Sequence, residues 1–360
     1  MTRKSWCTKA TPGNLKPASK PGEFVSVDQM LSTTPGFIAQ LKSPVLTRRR
    51  YHVASIFVDH YSSLSYVYLQ ETQTSQDTLT AKQAFEAYAR DHGVKIQHYH
   101  ADNGRFVDNM WQESINKAGQ TMTLCGVNAH HQNGVVEKRI RDLVSRARKM
   151  LLHAEARWPK AVHTCLWPYA LRTANEMRNS LPDKSNISPS EKFSTVKVQP
   201  KLSDYHVFGC PVFALHNTLQ ASNMLRRWEP RARLGIYLGP SPRHARNVSL
   251  VLNMDTGLVS PQFHVSHDDF FETIKDDRYQ ATSSWQQLAG FTRVSRAKSE
   301  DVSSFDMPLV TSMQEAINTQ LMPISEGAMQ PDTPNELALT SPEPFGIPLR
   351  RSTQRRRPPE

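Results

Sequence analysis

Two apolar, β-rich runs of this chain end on an aspartate, and that feature narrows its possible folds more than any other. From Glu23 to Met30, Phe24, Ser26 and Asp28 alternate with Val25 and Val27, the period-two pattern of a half-buried strand. Val94 to His100 is a second short run, and it delivers Asp102 at its end. Strand ends of this kind open onto the crevice where a parallel or mixed sheet meets its ligand. A third acid, Glu137, stands near the start of a helix among Lys138, Arg139 and Arg141. The pattern predicts an α/β fold in which a mixed sheet flanked by helices gathers three carboxylates. Asp102-Asn-Gly alone would be an ordinary turn, and its weight comes from the other two segments.

The stretches between these segments fit a sheet and its helices. Tyr51 to Val58 and Leu64 to Leu69 read as two strands of a hairpin, with Asp59 bonding its own turn. Thr74 to His92 reads as a helix closed by Gly93, Val107 to Gly119 as a helix, and Thr121 to Cys125 as a strand. After the polar loop from Asn128 to Gly134, Asn133 is the expected N-cap of a long helix. Its buried stripe is expected to be Val136, Ile140, Leu143, Val144, Ala147 and Leu151, with Glu137, Arg141 and Arg148 on another face. Arg157 to Arg178 reads as a further helix, and Trp158, Trp167 and Tyr169 in it are expected to pack rather than to stack on bases.

Carboxylates suit hard divalent cations, which take oxygen ligands and leave positions for water and phosphate. A pair of such ions about 4 Å apart supports an in-line displacement at phosphorus with no covalent protein intermediate. A net charge of +11 fits a polyanionic partner. The spacing of His98, His100 and Asp102, all on one side of a strand, raises the alternative of a catalytic zinc, but the chain turns away at Asn103-Gly-Arg without a further ligand. The four cysteines show no CxxC pair, and Cys125 and Cys165 read as packed hydrophobes. No apolar run is long enough to span a bilayer, and no signal peptide is expected.

The order Val27-Asp28, His100-Ala-Asp102-Asn-Gly104 and His131-Gln-Asn-Gly-Val-Val-Glu137-Lys-Arg resembles the catalytic core of copia-type LTR retrotransposon integrases, members of the retroviral integrase superfamily. The resemblance continues through Arg157-Trp158-Pro159, Leu166-Trp-Pro-Tyr169 and Phe208-Gly-Cys-Pro211 to Arg233-Leu-Gly-Ile-Tyr-Leu-Gly239, covering residues 21 to 275. It implies an RNase H-like fold in which Asp28, Asp102 and Glu137 match the metal-binding acidic triad for two Mg2+ or Mn2+ ions. It implies 3′-end processing of element DNA and strand transfer into host DNA, by a homo-oligomer assembled on that DNA. Asn103, His131, Gln132, Asn133, Lys138, Arg141 and Arg148 are the expected nucleic-acid contacts around the triad. The family's His-His-Cys-Cys zinc module and a Tyr-x-Asp-Asp polymerase signature are not found, so the chain reads as a truncated piece of a polyprotein. A DNA-binding or assembly protein that has kept this fold without catalysis is the alternative.

The expected organisation is a flexible lead-in over 1–20, a catalytic core over 21–180, a linker over 181–204, a small β-barrel over 205–275 and a mostly disordered tail over 276–360. Arg226, Arg227, Arg231, Arg233, Arg243 and Arg246 would give the barrel its charge. Arg350-Arg351 and Arg355-Arg356-Arg357 form a candidate nuclear-import patch, which fits a nuclear protein that passes through the cytoplasm first.

Overall fold

A computed structural model of the chain describes residues 17–126, 130–194, 196, 204–220, 224–245, 247–276 and 285–291. Five strands, β1 (Val25–Gly36), β2 (Tyr51–Asp59), β3 (Ser65–Gln70), β4 (His98–Ala101) and β5 (Thr121–Leu124), form one sheet in the order β3-β2-β1-β4-β5. β1 pairs antiparallel with β2 and parallel with β4; β2–β3 is antiparallel and β4–β5 parallel. This mixed sheet with helices on both faces is the RNase H-like arrangement.

The alternation in β1 decides which residues face which layer. Val25 and Val27, with Phe57, Tyr99 and Ala101, pack against α1 (Ser75–Asp91) and α2 (Asn109–Lys117). The side chains between them point the other way, toward α3 (Gly134–Arg157) and α4 (Trp167–Ser180). Asp28, opposite Ile56 in the β1–β2 ladder, is on that second side, where Ile56 joins Val136, Leu143, Ala147 and Leu151 in one core. Thr74 caps α1 by accepting from the Asp77 amide. Asp59 holds its own turn, accepting from the Ser62 amide at 2.7 Å and its hydroxyl at 2.6 Å.

Beyond α4 the chain builds a second, antiparallel sheet from β6 (Pro211–Leu215), β7 (Ala232–Pro240), β8 (Ser249–Asn253), β9 (Val259–Gln262) and β10 (Val265–His267), in the order β10-β6-β7-β8-β9. Only Phe263 and His264 separate the two edge strands, so the sheet curls on itself in the barrel-like way the sequence predicts. It shares one continuous core with α3 and α4, running from Val136 and Trp158 through Cys210, Val212 and Ile236 to Trp285. Two glycines make that approach possible. A Cβ on Gly209 (φ +78°) would meet the Ala154 Cβ at 2.5 Å, and one on Gly239 (φ +103°) would press into the Thr173 side chain.

Several expectations are corrected. Helix does not run through Arg157–Arg178: α3 ends at Arg157, and a turn over 158–166 buries Trp158 before α4 begins. Val144 is 36% exposed and Ile140 only partly buried, while Arg139 and Ala154 lie in the buried stripe of α3. The expected linker contains α5 (Pro189–Ser194), whose Phe193 lies against Tyr88 and His92 of the α1 end. Past the one-turn helix α6 (Asn217–Gln220) and the second sheet, the expected tail is packed over 285–291: α7 (Trp285–Leu288) buries Trp285, whose indole N–H donates to the Ala161 carbonyl at 3.0 Å. The rest of the tail, Cys7 and Arg246 lie outside the described residues. Trp158, Trp167 and Tyr169 are buried by packing, as expected. Among the described residues no helix is long and apolar enough to cross a membrane.

Candidate active site

The β1–β4 register pairs Val27 with Ala101, which sets Asp28 and Asp102 as the next positions on neighbouring parallel strands about 5 Å apart. Both side chains are half-buried, and each accepts from the following amide: Asp28 Oδ1 from Gln29 N and Asp102 Oδ1 from Asn103 N, both at 2.7 Å. Glu137 lies in the first turn of α3, where the helix dipole favours its ionised form.

Cys125 lies just past β5 and is buried. Burial first, and then the charges of Asp102, Glu137 and Asp28, push its thiol up to about 11. In donor chemistry the three carboxylates suit a hard divalent cation, but among the described residues no three His, Cys, Asp or Glu side chains stand together as a metal-ligand group. The reading of Cys125 as a packed hydrophobe holds for its burial, but sequence gave no sign of its position among the acids.

The histidines of β4 do not form the alternative zinc set. His98 Nδ1 meets Thr121 Oγ1 at 2.8 Å and its Nε2 meets Thr123 Oγ1 at 2.9 Å. His100 Nδ1 meets the same Thr123 hydroxyl at 2.9 Å and its Nε2 faces the Gln132 carbonyl at 3.3 Å. With both ring nitrogens of each engaged, neither imidazole turns a lone pair to a metal, and burial holds both below the usual histidine range.

The expected nucleic-acid contacts divide into three groups. Lys138, Arg141 and Arg148 are exposed along α3, as a phosphate-facing surface requires. Asn103 is exposed, but its amide donates to the Cys125 carbonyl, and the Gln132 side-chain carbonyl accepts from the Gly126 amide at 2.8 Å, so both brace the loops around the acids. Asn133 is 1% exposed and cannot reach DNA. It makes no side-chain capping bond either; its Nδ2 donates to the Val27 carbonyl at 3.1 Å. Both expectations for Asn133 are thus corrected, because a tertiary partner took the amide. The side chain of His131 lies outside the described residues. Arg139 is 8% exposed and donates to the Ser63 carbonyl at 2.9 Å and the Ser65 hydroxyl at 2.7 Å, and burial lowers its pKa to about 10.

No family model matches the chain. Among curated proteins it is similar to the retrovirus-related Pol polyproteins from transposons RE1 and RE2 of Arabidopsis thaliana. Identity to RE1 is 27% over 232 residues, 63% of this chain and 14% of the relative. Identity to RE2 is 25% over 255 residues, 70% of this chain and 16% of the relative, so the chain spans only a small part of either polyprotein. Solved structures with partial similarity include the HTLV-2 integrase catalytic core domain in complex with magnesium, at TM-score 0.35 and 17% identity over 49% of this chain and 98% of that one. A chain of the simian T-cell lymphotropic virus intasome gives TM-score 0.39 and 14% identity over 71% of this chain and 81% of that one. The motif order points to the integrase region of copia-type elements, and among curated proteins the chain is similar to part of two retrovirus-related Pol polyproteins from transposons.

Proposed function

We propose that the chain is a retrotransposon integrase, a metal-dependent polynucleotidyl transferase that processes the 3′ ends of element DNA and joins them to host DNA. The observation that carries the reading is the β1–β4 register, which sets Asp28 and Asp102 at the next positions of two adjacent parallel strands, with Glu137 in the first turn of α3. Asp28, Asp102 and Glu137 would hold Mg2+ or Mn2+, two ions for the full reaction. When bound, such ions activate an attacking oxygen and stabilise a leaving one. The residues' own part is to remain ionised, to be held at fixed separation, and to leave a face open to the nucleic acid. Lys138, Arg141 and Arg148 draw the phosphate backbone to that face, which makes binding strongly salt-dependent. By the same reading the protein works as a homo-oligomer on DNA ends, in the nucleus after a cytoplasmic stage.

The test is strand transfer on a short duplex in Mg2+ or Mn2+, with Asp102→Asn alongside. Joined product from the wild type and none from the variant is the expected result. Wild-type protein that binds the duplex in a salt-dependent way yet joins nothing in either metal would leave a DNA-binding or assembly protein without catalysis.

A further inference from the structure

We infer that Asn133 is a positioning residue for the acidic site, fixing Glu137 relative to Asp28 and Asp102; the inference rests on the proposed reading of those three acids. The short turn His130–Asn133 that leads into α3 is fastened at two points. The Asn133 Nδ2 donates to the carbonyl of Val27, the residue before Asp28, and the Gln132 carbonyl faces His100 Nε2, two residues before Asp102. Glu137 follows Asn133 by about one helical turn. All three acid-bearing segments therefore meet at one clasp, and each acid lies within about a turn of a fastening point.

Two further features separate this role from ordinary stabilisation. A capping asparagine would turn its oxygen to the amides of the first helical turn, and Asn133 does not. Its Oδ1 is instead buried with no partner among the described atoms. An orphaned buried oxygen counts against stability, and an apolar side chain would fill the space without it. What an apolar side chain cannot do is donate to Val27. The amide is kept for its N–H, and that N–H ties the start of α3 to the strand that carries Asp28.

Asn179 supplies a matched control, because it too is buried and donates from Nδ2 to a strand carbonyl, that of Ser65 at 2.7 Å, but it ties α4 to β3. Calorimetric titration of the full chain with Mn2+, together with thermal unfolding, separates the two. Asn133→Ala should weaken Mn2+ binding at least about ten-fold, while Asn179→Ala binds as the wild type does despite an equal or larger fall in unfolding temperature. Asn133→Gln, which keeps the amide, should recover part of the affinity. Should Asn133→Ala not fold, Asn133→Ser, which is too short to reach Val27, goes through the same comparison. An Asn133 variant that titrates like the wild type, or equal losses in both asparagine variants, overturns the inference. A wild type that binds no Mn2+, or whose binding survives Asp28→Asn and Glu137→Gln, removes the metal reading itself and the inference with it.

Discussion

The two faces of the first sheet are built differently. On the α1–α2 face, Phe57 stacks on Phe85 at 4.7 Å, and Tyr99 and Trp111 close the layer. Its buried Lys82 is 2.9 Å from Glu86, which also accepts from Tyr99 at 3.0 Å and from Gln120 at 2.6 Å. Apart from Phe193, that layer uses residues from 25 to 124 and is complete in itself. The α3–α4 face is not. Its core continues into the second sheet and α7, and the three acids stand on this side. A site on the open face depends on chain arriving from far downstream, whereas the closed face depends only on its neighbours.

The largest effect expected on the open face is chemical: Glu137→Gln should reduce strand transfer roughly 1,000-fold, about 4 kcal/mol in the barrier, with the unfolding temperature unchanged. Next come two large-to-small changes of equal kind, Trp285→Ala and Phe85→Ala, each expected to cost about 3–4 kcal/mol in denaturant unfolding. They sharpen the contrast because only Trp285→Ala should also weaken Mn2+ binding, through the core it shares with α3. Equal effects of the two on the metal would mean that the faces are not distinct in this way. Gly209→Ala should cost about 2 kcal/mol, since it combines a left-handed backbone with a contact against Ala154.

The smallest effect is a pH dependence in the second sheet. His267 stacks on His206 at 3.4 Å, its Nε2 meets the Ser249 hydroxyl at 3.0 Å, and burial, then His206, lowers its pKa from 6.5 to about 4. The unfolded chain takes up this proton near pH 6.5 and the folded one only near 4. The stabilisation is therefore whole above pH 6.5 and is lost as pH falls toward 4, by roughly 1–2 kcal/mol once the shift is discounted for solvent screening at this partly exposed ring. Equilibrium unfolding of His267→Asn across that interval should be flatter than that of the wild type.

Most of the closed face was legible because local pattern and tertiary outcome agree there: period two in β1, helix formers from Thr74 to His92, Gly93 as a stop. The alternation Ser26–Asp28 against Val25–Val27 also placed Asp28 on the correct side of the sheet. What stayed hidden came from partners distant in sequence. Asn133 looks like a helix cap until Val27 claims its amide, and Arg139 looks like a phosphate contact until Ser63 and Ser65 bury it. Trp285 sits in a polar stretch with no apolar periodicity, and only the Ala161 carbonyl and the apolar surround explain its burial. Cys125 carries no local mark of the three charges around it.

The gathering of Asp28, Asp102 and Glu137 is tested most directly by anomalous diffraction from crystals of the full chain soaked in Mn2+. The account predicts a peak bridging oxygens of Asp28 and Asp102 at about 2.2 Å, with Glu137 turned toward the same ion or a second one about 4 Å away. Manganese seated elsewhere, with these three carboxylates apart and unliganded, would contradict it.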